Sequence, residues 1–229
     1  MCPDCKHTLA AKDLVPLLSW LELRGKCRYC QRSISWHYPA VELATAMVFL
    51  LSYLFWPYEW ALTGMVQFML WLAVVTVLIA LLLYDLYWML LPTRLVYIAA
   101  VLAIPLVLLT TISGGLTYLL GVLFGSVMLG GGFWLLFQLS DGHWIGGGDV
   151  RLGFVLGALA GSLFGALLLL LIASLLGTLI ALPHIVRRGL RTHHKLPFGP
   201  FLIIATLVVY LFGFDIIAIY KQFAYLATI

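Results

Sequence analysis

ALTGMVQFMLWLAVVTVLIALLLYD, residues 61–85, carries no charged side chain until its last residue, Asp85. A helix that crosses a bilayer needs about 20 consecutive apolar residues, so this stretch alone places the chain in a membrane. Comparable runs flank it. They cover about 38–56, 61–85, 95–112, 116–139, 151–161, 163–186 and 198–220, predicting about seven spans. The run at 151–161 is short and rich in glycine (Gly153, Gly157, Gly161), which suits a short helix held tightly between neighbours. The whole chain is 64% hydrophobic and 10% charged, with a mean hydropathy of +1.09, where a soluble domain is about a quarter charged. The fold class is therefore all-α: a polytopic transmembrane helical bundle of about seven spans, with a small polar domain at its amino end.

That domain occupies residues 1–37 and the membrane domain 38–229. The first segment holds all four cysteines and six of the thirteen Lys and Arg residues. It lacks an apolar run able to span, and it does not have the basic tip and apolar core of a cleavable signal peptide. Cytoplasmic loops keep an excess of Lys and Arg. With residues 1–37 in the cytoplasm, seven spans put Arg94, Arg151, Arg187, Arg188, Arg191 and Lys195 on the same side and leave Lys221 opposite. The turns at Pro57–Trp60 and Ser113–Leu116 carry no basic residue, as the far side requires. The net charge of +4 is spread without a dense stripe, so no nucleic-acid partner is expected and the partner is the lipid bilayer. Trp56, Trp60, Trp88 and Trp144 lie at span ends and read as interfacial anchors. Small residues recur four apart at Gly121 and Gly125 and at Gly157 and Gly161, which suggests close helix contacts but nothing about chemistry.

Cys2-x-x-Cys5 and Cys27-x-x-Cys30 have the spacing by which four thiolates surround one tetrahedral zinc. A domain under about 40 residues buries too little apolar surface to fold alone, so a structural zinc would supply the missing stability. Two disulfides or free thiols are the alternatives, and a reducing cytoplasm disfavours the disulfides. A closed four-Cys site is structural, so catalysis is expected elsewhere.

Four acids lie within or beside the apolar runs once Glu59 and Asp141 are set aside: Glu42, Asp85, Asp149 and Asp215. Intramembrane acids are costly and mark function by default. Asp85 ends the second span and Asp149 opens the fifth, so the predicted topology puts both at the cytoplasmic edge. Two neighbouring carboxylates cannot both ionise; one keeps a proton while the other activates water, the arrangement of an aspartic protease. Gly146-Gly147-Gly148-Asp149 adds an active-site loop, Gly146 and Gly148 above all, on which a substrate backbone can lie close to the carboxylate. The plainer alternative makes Asp149 the cap of a helix starting at Val150 and Asp85 a water-facing residue. Glu42 reads as structural and Asp215 as water-facing on the far side. His7, His37, His143, His184, His193 and His194 show no metal spacing, and His193-His194 beside Arg191 and Lys195 reads as a solvated loop.

Taken in order, these motifs resemble the bacterial type IV prepilin peptidases. The resemblance runs through the two C-x-x-C pairs, Arg24-Gly25-Lys26-Cys27, Tyr38-Pro39-Ala40-Val41-Glu42-Leu43-Ala44-Thr45-Ala46, Asp85 with Leu90-Leu91-Pro92, Gly146-Gly147-Gly148-Asp149, and Leu196-Pro197-Phe198-Gly199-Pro200. It implies a membrane-embedded aspartyl endopeptidase of the bacterial inner membrane, cutting the leader peptide of type IV prepilins or type II secretion pseudopilins, with Asp85 and Asp149 as the pair. It also implies transfer of a methyl group from S-adenosylmethionine to the new amino terminus, with Gly25 and Lys26 at the positions associated with that activity. Tyr87 and Thr93 stand where many relatives carry further aspartates. Two rival readings use the same residues: a catalytically silent membrane assembly factor that docks partners through the zinc domain, and a transporter whose acids relay protons near the bilayer midplane.

Overall fold

The structure, a computed structural model, describes residues 1–188 and 197–226. The expected solvated loop around Arg191, His193, His194 and Lys195 lies outside the described residues, as do the side chains of His184, Arg187, Arg188 and Lys221. The chain forms two compact units, Met1–Leu54 and Phe55–Ile229.

In the first unit a single 3-10 turn, Ala11–Leu14, precedes the short helix α1 (Leu18–Glu22), and the unit ends in α2 (His37–Leu54). Leu17 enters α1 with φ 60, and its amide donates to Glu42 Oε2 at 2.8 Å. Glu42 is thus a structural acceptor, bonded to backbone rather than to a basic side chain.

The second unit contains α3 (Leu62–Trp88), α4 (Thr93–Ser126), a π-turn at Val127–Gly131 leading into α5 (Gly132–Leu139), α6 (Gly147–Leu159), α7 (Leu163–Arg188) and α8 (Gly199–Leu226). α4 is broken at Gly115, whose φ of 69 and ψ of -165 only glycine adopts readily. The break falls inside the predicted far-side turn, and it divides α4 into two apolar segments.

Among the described residues, five segments are long and apolar enough to cross a membrane: Leu62–Trp88, Thr93–Ile112, Gly114–Leu139, Leu163–Pro183 and Gly199–Tyr220. Two of the roughly seven predicted spans fall short of this. α2 has 18 residues that include His37 and Glu42. α6 has only 13 residues, about 20 Å of helix at 1.5 Å per residue against a hydrocarbon core of about 30 Å. It also starts at Gly147, four residues before the predicted 151. Among the predicted anchors, Trp60, Trp88 and Trp144 are exposed, but Trp56 is buried. Its ring packs at 5.0 Å from that of Phe68 and 6.2 Å from that of Tyr210, so it belongs to the core.

Lipid tails are as apolar as leucine, so helices in a membrane associate through close packing rather than hydrophobic burial. α6 shows how. It packs chiefly on α4 and the π-turn, and glycines face glycines along the seam. A Cβ placed at Gly121 would stand 2.9 Å from the Gly161 carbonyl oxygen, and one at Gly125 would stand 2.8 Å from that of Gly157. Gly153 lies against Gly130, with 3.2 Å from its Cβ position to the Gly130 Cα. Ser126 Oγ donates to the Phe154 carbonyl at 2.8 Å beside them. The two small-residue motifs of the sequence thus mate with each other in antiparallel register.

Candidate active site

Three helix ends of the second unit meet where α3 stops, α6 starts and α8 starts. α3 is closed by Met89 in the left-handed conformation (φ 51), whose amide donates to the Asp85 carbonyl at 2.9 Å. That leaves Asp85 in the last turn of the helix, with its side chain turned inward and only 6% exposed. Gly199, the first residue of α8, sets its backbone against the Asp85 carboxylate. Any side chain at position 199 would collide with it, since a Cβ there stands 2.5 Å from Asp85 Oδ2.

α6 begins on Gly146, an extended residue with φ -74 and ψ 147. The amides of Asp149 and Val150 donate to the Gly146 carbonyl at 3.1 and 3.3 Å. The Asp149 carboxylate lies beside Gly146, with Oδ2 3.4 Å from the Gly146 Cβ position, and no side-chain bond caps the helix. Asp149 is therefore the third residue of the helix and not the cap of one starting at Val150. The loop that precedes it is bare for a packing reason too. Gly148 lies on the α3–α4 turn, where a Cβ would stand 2.9 Å from the Leu91 Cβ.

Asp85 and Asp149 thus come to one place, near enough that the charge of Asp85 acts on Asp149. Asp85 is buried and Asp149 half-buried. Both sit at helix ends rather than mid-helix. Asp215 is exposed on α8, as expected of a water-facing residue. Sequence reasoning alone did not reveal Gly199 as the backbone packed against Asp85. The signal was present in Pro197-Phe198-Gly199-Pro200, a helix start with no polar side chain to explain it.

In the first unit the four cysteines converge, with all four Sγ atoms within 4.8 Å of one another and Cys2 Sγ 4.0 Å from Cys30 Sγ. A tetrahedral zinc with Zn–S bonds of about 2.3 Å needs sulfurs about 3.8 Å apart, close to this arrangement. The two pairs lie on matching turns. Lys6 and Gln31, with φ 56 and 58, donate to the Cys2 and Cys27 carbonyls at 2.9 Å each. The Cys2 and Cys27 amides donate to the carbonyls of His7 and Arg32 at 3.0 and 2.8 Å. The Cys2 thiol is pulled from 9.0 down to about 7, by the backbone amide of Cys5 first and that of Asp4 second, which favours the thiolate a metal binds. None of the four is disulfide-bonded, and together they can hold one metal ion.

Gly25 lies between the two cysteine turns with φ 71, buried under the Trp20 ring, 2.9 Å from Trp20 Cζ2 to its Cβ position. Lys26 beside it is exposed. Trp20 also walls a cavity of about 490 Å³ that reaches Tyr38 and Glu42, within the size range of small-molecule sites.

Residues 71–182 match the model of the type IV leader peptidase family, and residues 1–56 match that of the bacterial peptidase A24 N-terminal domain. The chain belongs to the type IV leader peptidase family. Its four cysteines fall inside the first match to the N-terminal domain, and Asp85 and Asp149 inside the leader-peptidase match. The prepilin leader peptidase/N-methyltransferase of Aeromonas hydrophila is 36% identical over 222 residues, which is 93% of this leader-peptidase chain and 71% of that protein. The one from Bacillus subtilis is 30% identical over 223 residues, 97% of this chain and 85% of that one. The type 4 prepilin-like proteins leader peptide-processing enzyme of Escherichia coli O78:H11 is 38% identical over 203 residues, 87% of this chain and 70% of that one. No solved structure matches the chain.

Proposed function

We propose that this protein is a membrane-embedded aspartyl endopeptidase that removes the leader peptide of type IV prepilins or type II secretion pseudopilins, with Asp85 and Asp149 as its catalytic pair. The observation that carries the reading is the meeting of these two carboxylates, 64 positions apart in sequence, at the junction of three helix ends. The reaction needs one carboxylate, ionised, to take a proton from water while the other, protonated, hydrogen-bonds the scissile carbonyl. The water oxygen adds to the carbonyl carbon, the C–N bond breaks, and the departing amine takes up a proton. Gly146 and Gly148 present backbone without side chains beside Asp149, so an extended substrate segment can approach it.

The proposed location is the bacterial inner membrane, with the site and residues 1–37 on the cytoplasmic side and residues 38–229 as the membrane protease domain. Arg94, at the start of α4, and Arg151, in the opening turns of α6, are both exposed, as a cytoplasmic edge requires. A pilin helix resting in the bilayer would present its leader at that same edge.

Cys2, Cys5, Cys27 and Cys30 are proposed to hold a structural zinc. Metal analysis of purified protein should find about one zinc per chain, and Cys27→Ser should lose it, since structural zinc contributes about 10–16 kcal/mol to such small domains. Protein without zinc and with oxidised cysteines would overturn this assignment. S-adenosylmethionine is proposed for the cavity walled by Trp20, whose ring also covers Gly25, with Lys26 at the edge of that segment. The cofactor would supply an electrophilic methyl group, and these residues would bind and orient it.

The test is cleavage of purified prepilin in detergent, with mass spectrometry of the mature amino terminus. Cutting at one bond before the mature hydrophobic helix is the expected outcome, with a gain of one methyl when S-adenosylmethionine is present. A folded, zinc-loaded chain that cuts no prepilin or pseudopilin would overturn the reading.

A further inference from the structure

We propose that Arg151 and Thr93 form a positioning pair that sets the distance between the two carboxylates, an inference that rests on the protease reading above. Arg151 follows Asp149 by two residues on α6, and Thr93 opens α4 directly after the turn that closes α3 behind Asp85. Arg151 Nη1 donates to Thr93 Oγ1 at 2.7 Å. The bond therefore ties the segment carrying one carboxylate to the segment carrying the other. The neighbouring contact of Gly148 on Leu91 is apolar and has no preferred direction, so it limits approach without fixing orientation. A guanidinium does fix it, because its donors form a rigid planar fork.

Helix stability does not explain an arginine here. A cation in the opening turns of α6, beside the first residue of α4, sits at the positive ends of two helix dipoles, where acidic residues are favoured. Holding a long side chain in one geometry also costs rotamer freedom. Arg151 is exposed, and exposed polar contacts of this kind contribute little to folding. What the bond supplies is placement of Asp149 relative to Asp85, and misplacement of about 1 Å in a reacting geometry costs on the order of 10²-fold in rate.

The experiment is steady-state prepilin cleavage by Thr93→Val, Arg151→Gln, the double variant and Thr93→Ser, each paired with its thermal unfolding midpoint in detergent. The single variants Thr93→Val and Arg151→Gln should each lower kcat about 10- to 100-fold, with KM within about twofold and the midpoint unchanged. The double variant should be no slower than the slower single variant, because the two side chains act as one unit. Thr93→Ser, which keeps the hydroxyl, should recover most of the rate. Unchanged kcat in the single variants, losses that multiply in the double, or losses carried by KM or by a lower midpoint would each overturn the pair while leaving the protease reading intact. A wild-type chain that cuts no prepilin would instead overturn that reading, and this inference with it.

Discussion

Asp85→Asn and Asp149→Asn will each slow prepilin cleavage by about 10²- to 10⁴-fold or more, the range that a positioned proton-transfer group supplies. Asparagine keeps the shape of aspartate and can still accept a hydrogen bond. The close contacts of Gly199 with position 85 and of Gly146 with position 149 are thus kept, and the fold should survive both changes. What is lost is the ability to exchange a proton. The double variant should be scarcely slower than either single one, because groups that act as a unit do not lose rate additively. Mass spectrometry of the prepilin amino terminus, with unfolding midpoints as controls, reads this directly. Turnover retained in either variant would remove that residue from the pair. Turnover retained in both would mean that the aspartyl mechanism is wrong.

Gly157→Leu should prevent stable folding. The Gly157 Cβ position collides with the Gly125 carbonyl oxygen and lies 2.8 Å from the Ser126 Cα. Both neighbours are backbone, which has no rotamer to give. Overpacking costs about 1–3 kcal/mol even where side chains can shift, and occasionally more, so a leucine against rigid backbone should cost about 3 kcal/mol or more. Gly132→Ala is the matched control. Nothing lies within 4 Å of its Cβ position, and alanine favours helix by about 1 kcal/mol over glycine. Yield and unfolding midpoint in detergent should collapse for the first and hold or rise for the second. A Gly157→Leu protein with the wild-type midpoint would mean that α4 and α6 do not meet as described.

Much of this was legible in the chain because lipid and metal impose strict local rules. Uncharged runs such as 61–84 must be helices, since the hydrocarbon core satisfies no backbone group. The paired C-x-x-C spacing is equally local, and the four thiols do cluster. Asp85 and Asp149 were distinguishable from Glu42 and Asp215 by their shared edge alone. Less legible was the start of α6. Gly146-Gly147-Gly148 reads as loop by propensity, yet the structure uses Gly147 and Gly148 as its first helical residues and closes the turn with the Asp149 and Val150 amides on the Gly146 carbonyl. The glycine pairs were visible, but their partners were not, because which seam mates with which depends on the whole bundle. Gly199 was beyond reach for the same reason, lying 114 positions from the carboxylate it packs against.

The dovetail of bare backbone between α4 and α6 has a mechanical meaning. Surfaces cushioned by side chains can slide by fractions of an ångström as rotamers change, whereas carbonyls seated against glycines have discrete resting positions, one helical turn of about 5.4 Å apart. The helix that carries Asp149 is in effect keyed to its neighbour. Flexibility at such a site has to come from the visitor. The prepilin must surrender helix around its own scissile bond and thread an extended strand toward carboxylates that stay where they are, so pilins whose sequence unwinds readily there should be cut faster than those that hold their helix, a difference that cleavage rates of matched prepilins would read.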